Sequence, residues 1–122
     1  MRKTFLIPLA LFFQSCIFNQ TDNIQELGNN YYYIGDGKES QILLGKSGQR
    51  SGGETIVPEE VTHYDFNSEY IIARNLQDRY KSEIKFWIID KKQETQPIPL
   101  DSIEFTNKLQ TLNINLYLKP RR

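Results

Sequence analysis

Residues 61–90 read VTHYDFNSEYIIARNLQDRYKSEIKFWIID, and they decide the fold class. Val61–Phe66, Tyr70–Arg74 and Ile84–Asp90 are rich in β-branched and aromatic residues, the side chains that suit a pleated, half-buried surface. Asn67-Ser68 marks a turn between the first two runs, and a polar loop over 75–83 separates the last two. Connections this short join antiparallel neighbours, so the stretch predicts a β-meander. Side chains alternate along a strand, so Ile84, Phe86 and Ile88 share one face while Trp87 and Ile89 share the other. Both faces are apolar, which predicts a central strand covered on both sides.

One cover is written just downstream. Asp101 is placed to cap a helix, and Glu104 three residues later completes a capping box. Leu100 before the cap and Phe105 at the fourth helical position form a hydrophobic staple. Phe105, Leu109 and Leu112 then fall within about 60° of one another, a stripe narrow enough to dock on a sheet. Asn113 is the expected stop, and 114–118 alternates weakly, as an edge strand ended by Pro120 does.

Upstream, Tyr31–Ile34 reads as a strand closed by the turn signal Gly35-Asp36-Gly37, with Gln41–Leu44 as its partner. Residues 45–53, GKSGQRSGG, carry four glycines and no apolar side chain, which predicts a flexible loop before a short strand at Thr55–Val57. The sum is an α+β domain over 29–122: a small antiparallel β-meander sheet of five or six strands with one C-terminal helix packed on it.

The first sixteen residues follow a different plan. Arg2 and Lys3 precede a nine-residue apolar run, FLIPLALFF at 5–13, and then Gln14-Ser15-Cys16. A basic start and a short apolar run make a secretory signal; the run is too short to span a bilayer as a helix. The only cysteine of the chain follows it, so no internal disulfide can form. Ser15-Cys16 resembles the lipobox of bacterial lipoproteins, in which a small residue precedes a cysteine that becomes lipid-modified. Phe13 and Gln14 depart from the commonest form of that motif. The resemblance implies cleavage after residue 15, lipidation of Cys16 and a tether over 16–28. It places the protein on the envelope membrane, at the periplasmic side of the outer membrane where a host has two. Two or three acyl chains on one residue anchor stably where a single chain does not.

Charge narrows the partners. The full chain has 15 basic and 15 acidic residues, and loss of Arg2 and Lys3 leaves a net charge of −2. A general nucleic-acid binder needs a basic surplus to displace counterions, so none is expected. Gly45-Lys46-Ser47 ends like a phosphate-binding loop, but Ser40 stands where that motif needs its first glycine. His63 is the sole histidine, and with one cysteine this makes a catalytic zinc site implausible; no metal or other cofactor is expected. Catalysis would have to use His63 or a carboxylate pair, Glu59-Glu60 or Asp65 with Glu69. No serine sits in a nucleophile-elbow pattern.

The aromatic residues offer a binding surface instead. Of three consecutive strand tyrosines, Tyr32 faces opposite to Tyr31 and Tyr33, so at least one of them is a candidate for exposure. Tyr32, Tyr64, Tyr70 and Trp87 are the candidate residues, against the plainer reading of cross-strand packing. The lipobox together with LGxxYYYI at 27–34, VxxY at 61–64, YIIA at 70–73 and FWIID at 86–90 resembles small bacterial lipoproteins of unknown function. The expected role is a lipid-anchored, non-enzymatic binding or accessory module with an envelope protein as partner. A small envelope hydrolase and an immunity-type inhibitor of a toxin or lytic enzyme are the alternatives.

Overall fold

The computed structural model describes residues 24–35, 37–46, 49–78, 83–93 and 96–121. The signal, Cys16 and the first part of the tether lie outside them, as do Asp36 and Ser47. Among the described residues eight strands and one α-helix follow in order: β1 (Ile24–Gly28), β2 (Tyr31–Ile34), β3 (Gln41–Lys46), β4 (Gln49–Val57), β5 (Val61–Phe66), β6 (Tyr70–Asp78), β7 (Glu83–Asp90), α1 (Ser102–Thr111) and β8 (Lys119–Pro120), with a short 3-10 turn at Gly37–Glu39. They form two antiparallel four-stranded sheets, β1-β2-β3-β4 and β7-β6-β5-β8, with α1 on the second. The fold is small α+β as expected, but the meander is divided between two sheets.

The first sheet begins inside the expected tether. Gly28 pairs with Tyr31 across a two-residue loop, Asn29-Asn30, in which both residues have positive φ (54° and 70°). That is the backbone of a type I′ hairpin, and asparagine tolerates it better than most residues. Residues 24–28 are therefore strand, and Leu27 is fully buried. The glycine-rich stretch after Leu44 is also strand where a loop was expected: β3 runs to Lys46 and β4 starts at Gln49. Its glycines fit a close approach, since a Cβ on Gly53 would stand 2.7 Å from the Leu44 carbonyl oxygen.

The second sheet keeps the expected order. The Asn67 carboxamide oxygen accepts from the N–H groups of Glu69 and Tyr70, both at 2.8 Å, and shapes the β5–β6 turn. β6 extends to Asp78, into the stretch read as loop. β7 is an edge strand, not a central one, yet its two faces are covered as its apolar pattern demanded. Trp87 and Ile89 enter the core between the sheets; Phe86 and Ile88 lie under the helix. The segment after α1 is not an edge strand over 114–118, because only Lys119–Pro120 pair, with Tyr64 and His63.

The principal core lies between the sheets. Leu27, Tyr31, Tyr33, Ile42, Ile56 and Val57 of the first meet Val61, Tyr64, Ile71, Ala73, Trp87 and Ile89 of the second. Polar ties fix the junction. Asn75, fully buried, accepts from the Trp87 indole at 2.9 Å and donates to the Pro58 carbonyl at 3.0 Å. Ser40, also fully buried, takes the Val61 N–H on its own carbonyl at 3.0 Å. Each tie satisfies groups that would cost about 1–3 kcal/mol if left buried without a partner.

α1 carries the expected capping box: Glu104 N–H donates to Asp101 at 2.8 Å and Asp101 N–H to Glu104 at 3.0 Å. Leu112 is the C-cap and Asn113, at φ 58°, leaves the helix through the left-handed region. Phe105 stacks on Phe86 with ring centroids 4.9 Å apart, and Leu109 joins the same cluster. Leu112 sits at the margin of the docking stripe, 38% exposed.

Candidate functional site

The candidate aromatic surface does not exist as one surface. Tyr64 and Trp87 lie in the core between the sheets, where Tyr64 stacks on Tyr33 at 4.5 Å between centroids. The Tyr64 hydroxyl donates to Gln25 of the first sheet. Tyr32 faces away from that core, between its cross-strand neighbours Glu26 and Leu43, and is nevertheless buried, as are Tyr31 and Tyr33. The other sheet in each case supplies the packing of Tyr31, Tyr33, Tyr64 and Trp87. Tyr70 alone of the four candidates is part-exposed, on the helix side of the second sheet.

His63 stands on that same side of β5, in cationic company. The Arg74 guanidinium donates from Nη1 to the Thr62 hydroxyl at 2.7 Å and lies 3.3 Å from His63 Nδ1. His63 Nδ1 also lies 3.0 Å from the Thr62 hydroxyl, which itself donates to the Arg74 carbonyl at 3.2 Å. Burial first, then Arg74 and Arg121, hold the imidazole below its ordinary value. No hydrogen bond joins His63 to a carboxylate among the described residues. Asp65 is engaged by the Tyr117 N–H at 3.2 Å and by Lys119 at 3.7 Å. Glu60 pairs with Arg121 at 3.1 Å, Glu59 accepts from Gln41 at 3.2 Å, and Glu69 faces Lys92 at 3.8 Å. The acids of both expected pairs thus have partners of their own. Among the described residues no three His, Cys, Asp or Glu side chains are grouped to hold a metal ion.

Lys91 is the most unusual cation described. Only 3% exposed, it donates from Nζ to the Leu27 carbonyl and lies 5.5 Å from the centre of the Phe66 ring. Leu27 falls at the irregularity between the paired residues Glu26 and Gly28, so a lysine from the end of the second sheet serves a carbonyl at a bulge of the first. Burial lowers its proton affinity. A side chain at Gly28 would meet this ammonium at 2.7 Å.

A small hollow of about 190 Å³ lies by Tyr64, Asp65 and Lys119, and a larger groove of about 530 Å³ lies around Tyr70. Three elements build it. The second sheet gives Tyr70, Ile88 and Asp90; Gln93 and residues 96–100 form one wall; α1 contributes Glu104 and Lys108, with the cap residue Leu112. Its apolar side chains are Tyr70, Ile88, Leu100 and Leu112, and Asp90, Gln93, Gln96, Glu104 and Lys108 are its polar members. Ile98 stands beside them, 75% exposed, and Ile103 at the start of α1 is 71% exposed. The lining holds no His, Ser or Cys. This combination suits an apolar side chain on a polar backbone. Sequence reasoning passed over the groove because its wall, QPIPL at 96–100, is neither strand nor helix. The available signal was Ile98 between two prolines, an apolar residue in a segment barred from a helix or a central strand.

No curated protein and no solved structure matches the chain. A family model described as "Protein of unknown function (DUF3997)" matches residues 28–120, the whole span from the β1–β2 turn to β8, and the chain belongs to that family.

Proposed function

We propose that the protein is a lipid-anchored, non-enzymatic binding module of the bacterial envelope, tethered through Cys16, and that it receives an envelope protein partner in the groove around Tyr70. The observation that carries the groove is the exposure of Ile98, 75%, beside apolar Tyr70, Ile88 and Leu112. Large apolar side chains left in water beside a rimmed concavity mark interaction sites more often than isolated ones do. The anchor reading rests on the short apolar run and Ser15-Cys16. β1 begins at Ile24, eight residues after Cys16, and a domain tethered so closely meets its partners at the membrane surface.

The anchor is tested by acyl labelling and fractionation. The parent chain labels with fatty acid and sediments with membranes, and Cys16→Ser does neither. Membrane retention of the Cys16→Ser protein would refute the anchor. For the groove, Leu112→Asp, at a lining residue 38% exposed, abolishes co-isolation of the partner while leaving the protein folded and membrane-bound; unchanged recovery of the same partner refutes the groove.

A further inference from the structure

We propose that residues 96–100 form a strap that pairs with the free edge of β7 and closes the groove with Ile98. The consequence for partner access rests on the groove reading above, but the pairing stands on register alone. Phe86 and Leu100 already exchange both main-chain hydrogen bonds, at 2.9 and 2.8 Å, in antiparallel sense. In an antiparallel strand the N–H and C=O of one residue point to the same edge, and successive residues alternate. Ile88, two residues after Phe86, therefore turns both groups toward the strap. Neither has a hydrogen-bond partner among the described residues on that edge.

Continuing the antiparallel register from Phe86 and Leu100 sets Ile98 opposite Ile88. Directly opposed residues share a face. Ile88 packs in the cluster beneath α1, so Ile98 in register points into the groove beside Tyr70 and Leu112 instead of into water. The prolines fit the same plan. Pro97 and Pro99 alternate with Ile98, so their nitrogens face away from β7, where the ladder needs no donor. They also leave the outer edge of the strap short of N–H groups, which stops further strands from adding. The strap has donors on the side that pairs and lacks them on the side that does not. Closure makes Ile98 the occupant of the groove. A partner that displaces it presents an equivalent branched aliphatic side chain on an extended segment.

Disulfide trapping tests the pairing in the full chain carrying Cys16→Ser. Opposed residues of a hydrogen-bonded pair lie roughly 5.5 Å apart at Cα, within disulfide reach. Ile88→Cys with Ile98→Cys oxidises at least tenfold faster than Ile84→Cys with Ile98→Cys, which is out of register. Equal or slower oxidation overturns the strap. Because Ile88 contributes to packing, a second measurement stands apart from that pair. Ile98→Pro removes the strap N–H that faces β7 without touching the core, and amide exchange at Ile88 accelerates at least threefold. Unchanged exchange at Ile88 overturns the proposal, whatever the fate of the groove as a partner site.

Discussion

The Tyr33–Tyr64 stack joins the two sheets, and its removal measures how firmly they are held. Tyr64 is 7% exposed and Tyr33 4%, with ring planes inclined by 19° at 4.5 Å. Truncating a buried aromatic side chain costs about 3–5 kcal/mol, from lost transfer energy plus the cavity left behind. Tyr64→Ala is expected in that range, a large share of the ~5–15 kcal/mol that holds a typical domain. Tyr64→Phe keeps the ring and loses only the hydrogen bond to Gln25, a change of about 1 kcal/mol. A double-mutant cycle with Tyr33→Ala is expected to give a coupling of about 0.5–1.5 kcal/mol, the contribution of an aromatic pair beyond its buried area. Urea titration of the Cys16→Ser protein reads all three values. The single tryptophan, Trp87, lies in the same core and reports its loss by fluorescence. A surface tyrosine would change stability by less than about 0.5 kcal/mol. A Tyr64→Ala value of that size refutes the sandwich and restores the exposed aromatic face.

Other consequences follow from single contacts. Asp101→Ala removes the cap of α1 and costs about 1 kcal/mol in the same titration. Asn75→Leu leaves the Trp87 indole N–H and the Pro58 carbonyl without their partner, and costs at least about 2 kcal/mol despite the gain in apolar volume. The lowered proton affinity of His63 gives a pH dependence of defined sign. Between the folded value and the ordinary 6.5, the unfolded chain holds a proton that the folded chain does not. Stability from this residue is therefore full above 6.5 and falls as pH drops through the folded value; the difference between parent and His63→Gln titration curves isolates it.

Local chemistry was legible in the sequence wherever it also decided the structure. The Asp101–Glu104 box, the Asn113 stop, the Asn67 turn and the alternation of Phe86, Trp87, Ile88 and Ile89 are read from a few adjacent residues and appear as expected. The division into two sheets was not legible, because apolar alternation says which side of a strand is covered and not what covers it. β7 shows this: both faces are buried at the edge of its sheet, one by the first sheet and one by α1. The same gap hid the fate of Tyr31, Tyr33 and Tyr64, whose burial depends on a partner sheet distant in sequence. Composition misled over the stretch that follows Leu44, where β3 runs to Lys46, β4 starts at Gln49 and Gly53 serves a close strand approach. It misled again over 24–28, a polar stretch that becomes strand once Asn29-Asn30 turns it back on Tyr31. The groove was beyond sequence reading because it is assembled from β6, β7, Gln93, residues 96–100 and α1.

The central claim is that the aromatic faces are structural and that the groove beside Ile98 is the working surface of a membrane-tethered module. In-cell photocross-linking tests it most directly, with a photoreactive residue at position 98 in one strain and at the exposed Thr55 of the first sheet in another. One discrete adduct is expected from position 98, absent from position 55 and lost when Cys16→Ser releases the protein from the membrane. An adduct from position 55 with none from position 98 would contradict it.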